Sequence, residues 1–179
     1  YVFEGMHSGD YVRFGRKFWE IDNVGNGWSL QQGSPNKNED YSGREHIIFW
    51  ENGKGVLVDY VKERLQSETV SMWIKGYDAW GKRGVAISPM SDLKATLYSG
   101  QIFTHSVVVI IPQREELLGA LWHFCQSEEF RKLIRHLDKN ICVAVGTFGQ
   151  IPFDVEKWTA VAEAQELPET YSNDPSQWL

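Results

Sequence analysis

An α+β fold is what the sequence predicts: a twisted, mostly antiparallel β part with long loops, followed by C-terminal helices. Three observations carry this. From Tyr1 to about Ile111, short apolar runs rich in Val, Ile and Trp are separated by Gly, Asn, Ser and Pro, the pattern of strands joined by turns. From Pro112 onward the apolar residues recur at intervals of three and four, the helical period. No internal repeat or low-complexity tract interrupts that order. A length of 179 residues suits a single domain with a sizeable core, read here as a β-rich recognition part over 1–111 and a helical bracing part over 112–179.

The elements follow in chain order. "HIIFWE" (46–51), "TVSMWIK" (69–75), "GVAIS" (84–88) and "HSVVVII" (105–111) are expected strands. "VGNGWSLQQGSPNKNEDYSGRE" (24–45) is dense in turn formers and lacks periodicity, so a long surface loop is expected there. Leu117, Leu118, Leu121, Trp122 and Cys125 mark a first helix. Ser127 is placed to cap a second, with Phe130, Leu133, Ile134 and Leu137 on one face. Asp154 is placed to cap a third, carrying Val155, Trp158, Val161 and Ala162.

Composition narrows the function classes. Charged residues at 23% and hydrophobic ones at 42% describe a folded chain rather than a disordered one. No run of eighteen apolar residues occurs and the N-terminus has no signal-peptide pattern, so no membrane partner and a cytoplasmic location are expected. Cys125 and Cys142 lie in apolar surroundings without C-x-x-C spacing and are expected to be reduced core thiols. The chain runs from Tyr1 to a C-terminal "YSNDPSQWL" and is expected to be a fragment of a longer polypeptide.

The formal charge is −6, whereas nucleic-acid binders are usually basic. The acidity is uneven. Residues 1–84 hold eleven Lys and Arg against twelve Asp and Glu, and residues 85–179 hold seven against twelve, which leaves the first half able to present a basic surface.

Catalytic patterns are scarce. "GNGWSL" (25–30) lacks the third glycine of a dinucleotide loop, the five histidines show no metal-ligand spacing, and no G-x-S-x-G elbow is present. His123 and Cys125 face different ways on a helix. No catalytic residue and no metal site are assigned. Asp78, Asp92 and Lys94 have the residue types of a metal-dependent nuclease, although a solvated turn accounts for them more simply. Trp50, Trp73, Trp122 and Trp158 sit in periodic apolar segments and are expected in the core. Trp19, Trp28 and Trp80 lie beside glycines and cations, a setting that suits stacking on bases, cation–π contacts, a sugar or protein-binding platform, or aromatic faces merely covered by cationic stems.

The order of motifs resembles a known family. "GMHSGDYVRFGRKFWE" (5–20) is similar to the G-[LM]-x-[ST]-G-D-x-x-R-F-x-R-x-x-W-E segment that follows the catalytic domain in large adenine-N6 DNA methyltransferases of restriction-modification and PglX-like phage-defence systems. "HIIFWENGKGVLVDYV" (46–61) resembles that family's strand ending in Trp, Asn and Gly before a short helix, and "KGYDAWGKRG" (75–84) its Gly-x-x-Trp element. "NICVAVGTFGQIPFD" (140–154) is similar to its closing segment. Tyr11 stands where the family commonly has Asn, and residues 31–45 lack its Lys-Gly-Gly-Glu-x-Arg run.

The resemblance implies a target recognition domain that binds double-stranded DNA beside the catalytic domain of its own parent chain. It implies no cofactor in this fragment, because the S-adenosylmethionine loop and the Asn-Pro-Pro motif of the catalytic domain are absent here. Ser8, Gly9, Arg13, Arg16 and Lys17 are then expected at DNA phosphates. Gln31, Gln32, Asn36, Asn38, Arg44, Trp80, Lys82 and Arg83 are expected to read bases.

Overall fold

The computed structural model describes residues 1–37 and 39–172, with eight strands and five α-helices among them. The order is β1 (Val2–Glu4), α1 (Tyr11–Phe14), β2 (Gly15–Lys17), β3 (Trp28–Gln32), β4 (His46–Phe49), α2 (Val56–Leu65), β5 (Gly84–Ile87), β6 (Ala95–Tyr98), β7 (Ile102–Phe103), β8 (Val108–Ile110), α3 (Leu118–Gln126), α4 (Glu128–Leu137) and α5 (Val155–Glu163). The fold is α+β, as its sequence predicts. One sheet has the order β1-β8-β5-β6 and is antiparallel throughout. The other has the order β2-β4-β3-β7 and is antiparallel except for the parallel β3–β7 pair.

Both faces of the first sheet are buried, which is why its strands read as continuous apolar runs rather than alternations. Val85, Ile87 and Val108 pack against Leu118, Leu121, Trp122 and Cys125 of α3, Phe130 and Ile134 of α4, and Trp158 of α5. On the other face, Ala86 and Val109 pack with Ala79, Tyr98, Phe103 and Val107, as a side-chain period of two requires. The second sheet is covered by α2, with Ile48 meeting Leu57, Val61, Phe14, Trp50 and Ile74. Helices therefore also occur within 1–111. The caps are where the sequence places them: Ser127 Oγ accepts from Phe130 N at 3.0 Å, and Asp154 Oδ1 accepts from Lys157 N at 3.0 Å.

Two expected elements differ. The stretch 24–45 is not all loop, because Trp28–Gln32 forms a strand between β4 and β7. The surrounding glycines and asparagines hide a five-residue strand whose side chains are largely polar. Thr69–Lys75 is a turn and not a strand: Trp73 N and Ile74 N both donate to Val70 O, at 3.0 and 2.8 Å. Val70, Trp73 and Ile74 recur at three and four, a helical spacing that β-branched content disguises. Cys125 is buried, but Cys142 is exposed, and both are free. Ile141 beside it is 72% exposed, so Ile141 and Cys142 are surface, whereas the next residue, Val143, is buried in the core.

Candidate functional site

The segment from Gly5 to Lys17 is fixed to the rest of the chain by backbone bonds. Met6 N donates to Phe103 O at 2.7 Å and His7 N to Trp73 O at 2.8 Å. Gly9 has φ +73°, and a Cβ there would lie 2.3 Å from Trp73 Cζ3, so the position demands glycine for both its backbone and its space. Asp10 caps α1, its Oδ1 accepting from Arg13 N at 3.0 Å. The Gly-Asp pair thus turns the chain so that α1 and β2 carry the cations to the sheet edge.

Each cation is held differently. The Arg13 guanidinium lies 4.8 Å from the Phe14 ring centre and 5.4 Å from that of Tyr60, so its stem covers aromatic surface while its donors stay outward. Arg16 Nη1 donates to the carbonyls of Val12 at 2.5 Å and Gly15 at 2.6 Å. Lys17 Nζ lies 3.2 Å from Glu45 Oε1 and 3.2 Å from His46 Nε2. Among the described residues Arg13 and Arg16 form no ion pair.

A polar network that sequence reading missed surrounds Lys17. Tyr11 Oη lies 2.7 Å from His46 Nδ1 and 3.3 Å from Arg16 O. With the ammonium donating to Nε2, the imidazole proton belongs on Nδ1, pointing at the phenol oxygen. The link is made by register, since Lys17 pairs with His46 across β2 and β4. Burial, and then the Lys17 charge, hold the His46 pKa below its ordinary value, against an opposing pull from Glu45. Burial would raise the Glu45 pKa, but hydrogen bonds and the charges of His46 and Lys17 bring it below its ordinary value.

Because the unfolded chain titrates His46 near about 6.5, it takes up more protons than the folded chain just below that pH. The stability this supplies is complete above pH about 6.5 and is lost as the pH falls through the folded pKa. Lys17→Ala is expected to raise the His46 pKa, followed through its imidazole proton NMR shift. An unchanged or lower pKa would break the inferred Lys17–His46 coupling.

Three expected base-reading residues are interior. Gln31 is 2% exposed, Gln32 0% and Arg44 4%. Gln32 Nε2 donates to Gly33 O at 2.8 Å and Ser42 O at 2.7 Å, tying the ends of the 33–42 loop. Arg44 Nη2 donates to Leu97 O and Ser99 Oγ, both at 2.7 Å, which joins the two sheets. Its guanidinium lies 5.2 and 5.1 Å from the Tyr41 and Tyr171 ring centres, and burial lowers its pKa to about 10. Gln32 and Arg44 thus tie the loop and the sheets together from the interior.

The remaining candidates fall at two places. Asn36 is exposed and lines a groove of about 280 Å³ with Trp19, Lys37 and Glu45. Asn38 lies outside the described residues. At the other place, Trp80 shares a cleft of about 540 Å³ with Trp28 and Trp50. Gly81 N donates to Gly100 O at 2.8 Å, which sets exposed Lys82 near the turn between β6 and β7, while Arg83 Nη1 is 4.0 Å from Glu115 Oε1. Ser8 is half-buried and Gly9 exposed. Arg16 and Lys17 lie on β2, an edge strand of the second sheet, whereas Lys82 and Arg83 lie just before β5, an inner strand of the first sheet.

Of the three aromatics expected at the surface, Trp19 is 58% exposed. Trp28 and Trp80 are half-buried and share their cleft without Trp19, which divides the expected sugar platform. Trp50, Trp122 and Trp158 are buried as expected, and Trp73 half-buried. Asp92 Oδ2 pairs with Lys94 Nζ at 3.6 Å, and among the described residues no group of three or more His, Cys, Asp or Glu gathers around a shared point. No helix there is long and apolar enough to cross a membrane. Comparison with protein-family models and with curated proteins finds no match to this chain.

Proposed function

We propose that this chain is the target recognition domain of an S-adenosylmethionine-dependent adenine-N6 DNA methyltransferase from a restriction-modification or phage-defence system, acting in the cytoplasm. In this reading the chain is a fragment that performs no chemistry. It grips double-stranded DNA beside the catalytic domain of its parent, which carries the methyl donor. The observation that supports this most is the delivery of Arg13, Arg16 and Lys17 to one sheet edge by consecutive short elements, with Arg13 and Arg16 outside any ion pair among the described residues. Exposed Lys82 and half-buried Arg83, just before β5, add a second group of cations. Phosphates are met by Arg13, Arg16 and Lys17, while Asn36, Lys82 and Arg83 have the donors and acceptors for base edges.

Anisotropy titration of a labelled duplex tests this. Three cations on phosphates would give a slope of log K against log salt of about −2.7. The affinity is expected to fall by roughly 40-fold between 50 and 200 mM salt. Arg83→Ala is expected to change the preference between duplex sequences. Salt-insensitive binding to a polysaccharide, with none to duplex, would instead favour a sugar-binding role for the Trp28–Trp50–Trp80 cleft.

A further inference from the structure

Outside the cationic edge, the fold brings together two histidines that lie 98 residues apart in sequence. His7 Nδ1 and His105 Nδ1 are 3.3 Å apart, with ring centres at 4.5 Å and planes at 81°. Both backbones are fixed. His7 N donates to Trp73 O at 2.8 Å and His105 N to Met6 O at 2.9 Å, and Met6 and Thr104 form a parallel bridge between the two segments. The Trp73 ring stands edge-on to His7 at 4.7 Å, and Gly9 leaves it the room to do so. The pair is therefore held by the main chain and by an aromatic wall.

That spacing is informative. At 3.3 Å the two nitrogens are at the long end of hydrogen-bond reach, and a bond between them needs one ring to present its proton and the other its lone pair. A cation bonded to both nitrogens at about 2.0–2.1 Å, the usual zinc–imidazole length, would instead subtend an angle of about 104–111° at the observed separation. This is the tetrahedral angle. The Glu4 carboxylate adds favourable charge close by, although Lys75 Nζ pairs with it at 2.7 Å.

We propose that His7 and His105 form a two-imidazole site for a divalent transition-metal ion of the zinc, cobalt or nickel class, with its remaining positions filled by water. Neutral imidazole is the preferred protein ligand for these ions, and hard cations such as magnesium prefer oxygen. The site is independent of the DNA-binding reading, so it is tested on the protein alone.

The experiment is thermal unfolding against added zinc chloride, in a Cys142→Ser background so that the exposed thiol does not compete. Cobalt absorption spectra are recorded in parallel. Beyond saturation, each tenfold increase in zinc is expected to raise Tm by about 3–5 °C, and magnesium is expected to have no effect. His7→Ala and His105→Ala are each expected to abolish the zinc response and the visible cobalt bands while remaining folded by circular dichroism. If either variant unfolds, His7→Gln or His105→Gln serves in its place, since the amide keeps a polar side chain but is a poor zinc ligand. A zinc response that persists in both histidine variants, or no response in the parent, would overturn the site and leave a simple imidazole pair.

Discussion

Replacing Arg13, Arg16 and Lys17 together with alanine is expected to weaken duplex binding on the order of 10²-fold at 0.1 M salt and to flatten the salt slope by about 2.7, three phosphate contacts at about 0.9 each. The loss should be the same for every sequence, because phosphates carry no base identity. Two details shape the measurement. Lys17 starts 3.2 Å from Glu45, so part of its attraction to a phosphate is offset by leaving that carboxylate, an exchange between partly exposed pairs of modest net cost. Arg16 also binds the carbonyls of Val12 and Gly15 at the end of α1, so Arg16→Lys, which keeps the charge, separates local order from phosphate contact. Equal affinity and equal slope for parent and triple variant, by anisotropy, would remove the cationic edge from the account.

Arg44→Ala is expected to be the most destabilising change among the residues once expected at the bases. It deletes the donors to Leu97 O and Ser99 Oγ and leaves a buried carbonyl without its partner, at about 3 kcal/mol in all. For a chain of this size that lowers Tm by roughly 6–12 °C. Arg44→Lys recovers only part of the loss, because a single ammonium lacks the planar fork that also lies over Tyr41 and Tyr171. Sequence preference on DNA should not change. Unaltered stability with altered preference would show that Arg44 reads bases after all.

The fold was legible where one period dominates. Ser127 and Asp154 cap helices whose apolar faces meet the first sheet, and the runs at 84–88 and 105–111 contain β5 and β8. It was illegible where side-chain chemistry contradicts position. Gln31, Gln32 and Arg44 look like surface residues in a polar stretch, yet pairing on both sides of β3 and the join between the sheets take them inside. The Tyr11–His46–Lys17 network and the His7–His105 pair depend on register and on a long-range bridge, neither of which local sequence reports. At the candidate interface, what the sequence does carry is the local part: the Gly9 turn, the Asp10 cap and the cations that follow within one short helix and one strand.

Duplex DNA is proposed to meet the α1–β2 edge of the second sheet together with the turn holding Lys82. Mapping of amide NMR shifts on adding a duplex tests it most directly. The largest changes are expected at Gly9, Arg13, Arg16, Lys17, Gly81 and Lys82, with α3, α4 and α5 nearly unchanged. Changes concentrated on those three helices, or none at any residue while the duplex is in excess at low salt, would contradict it.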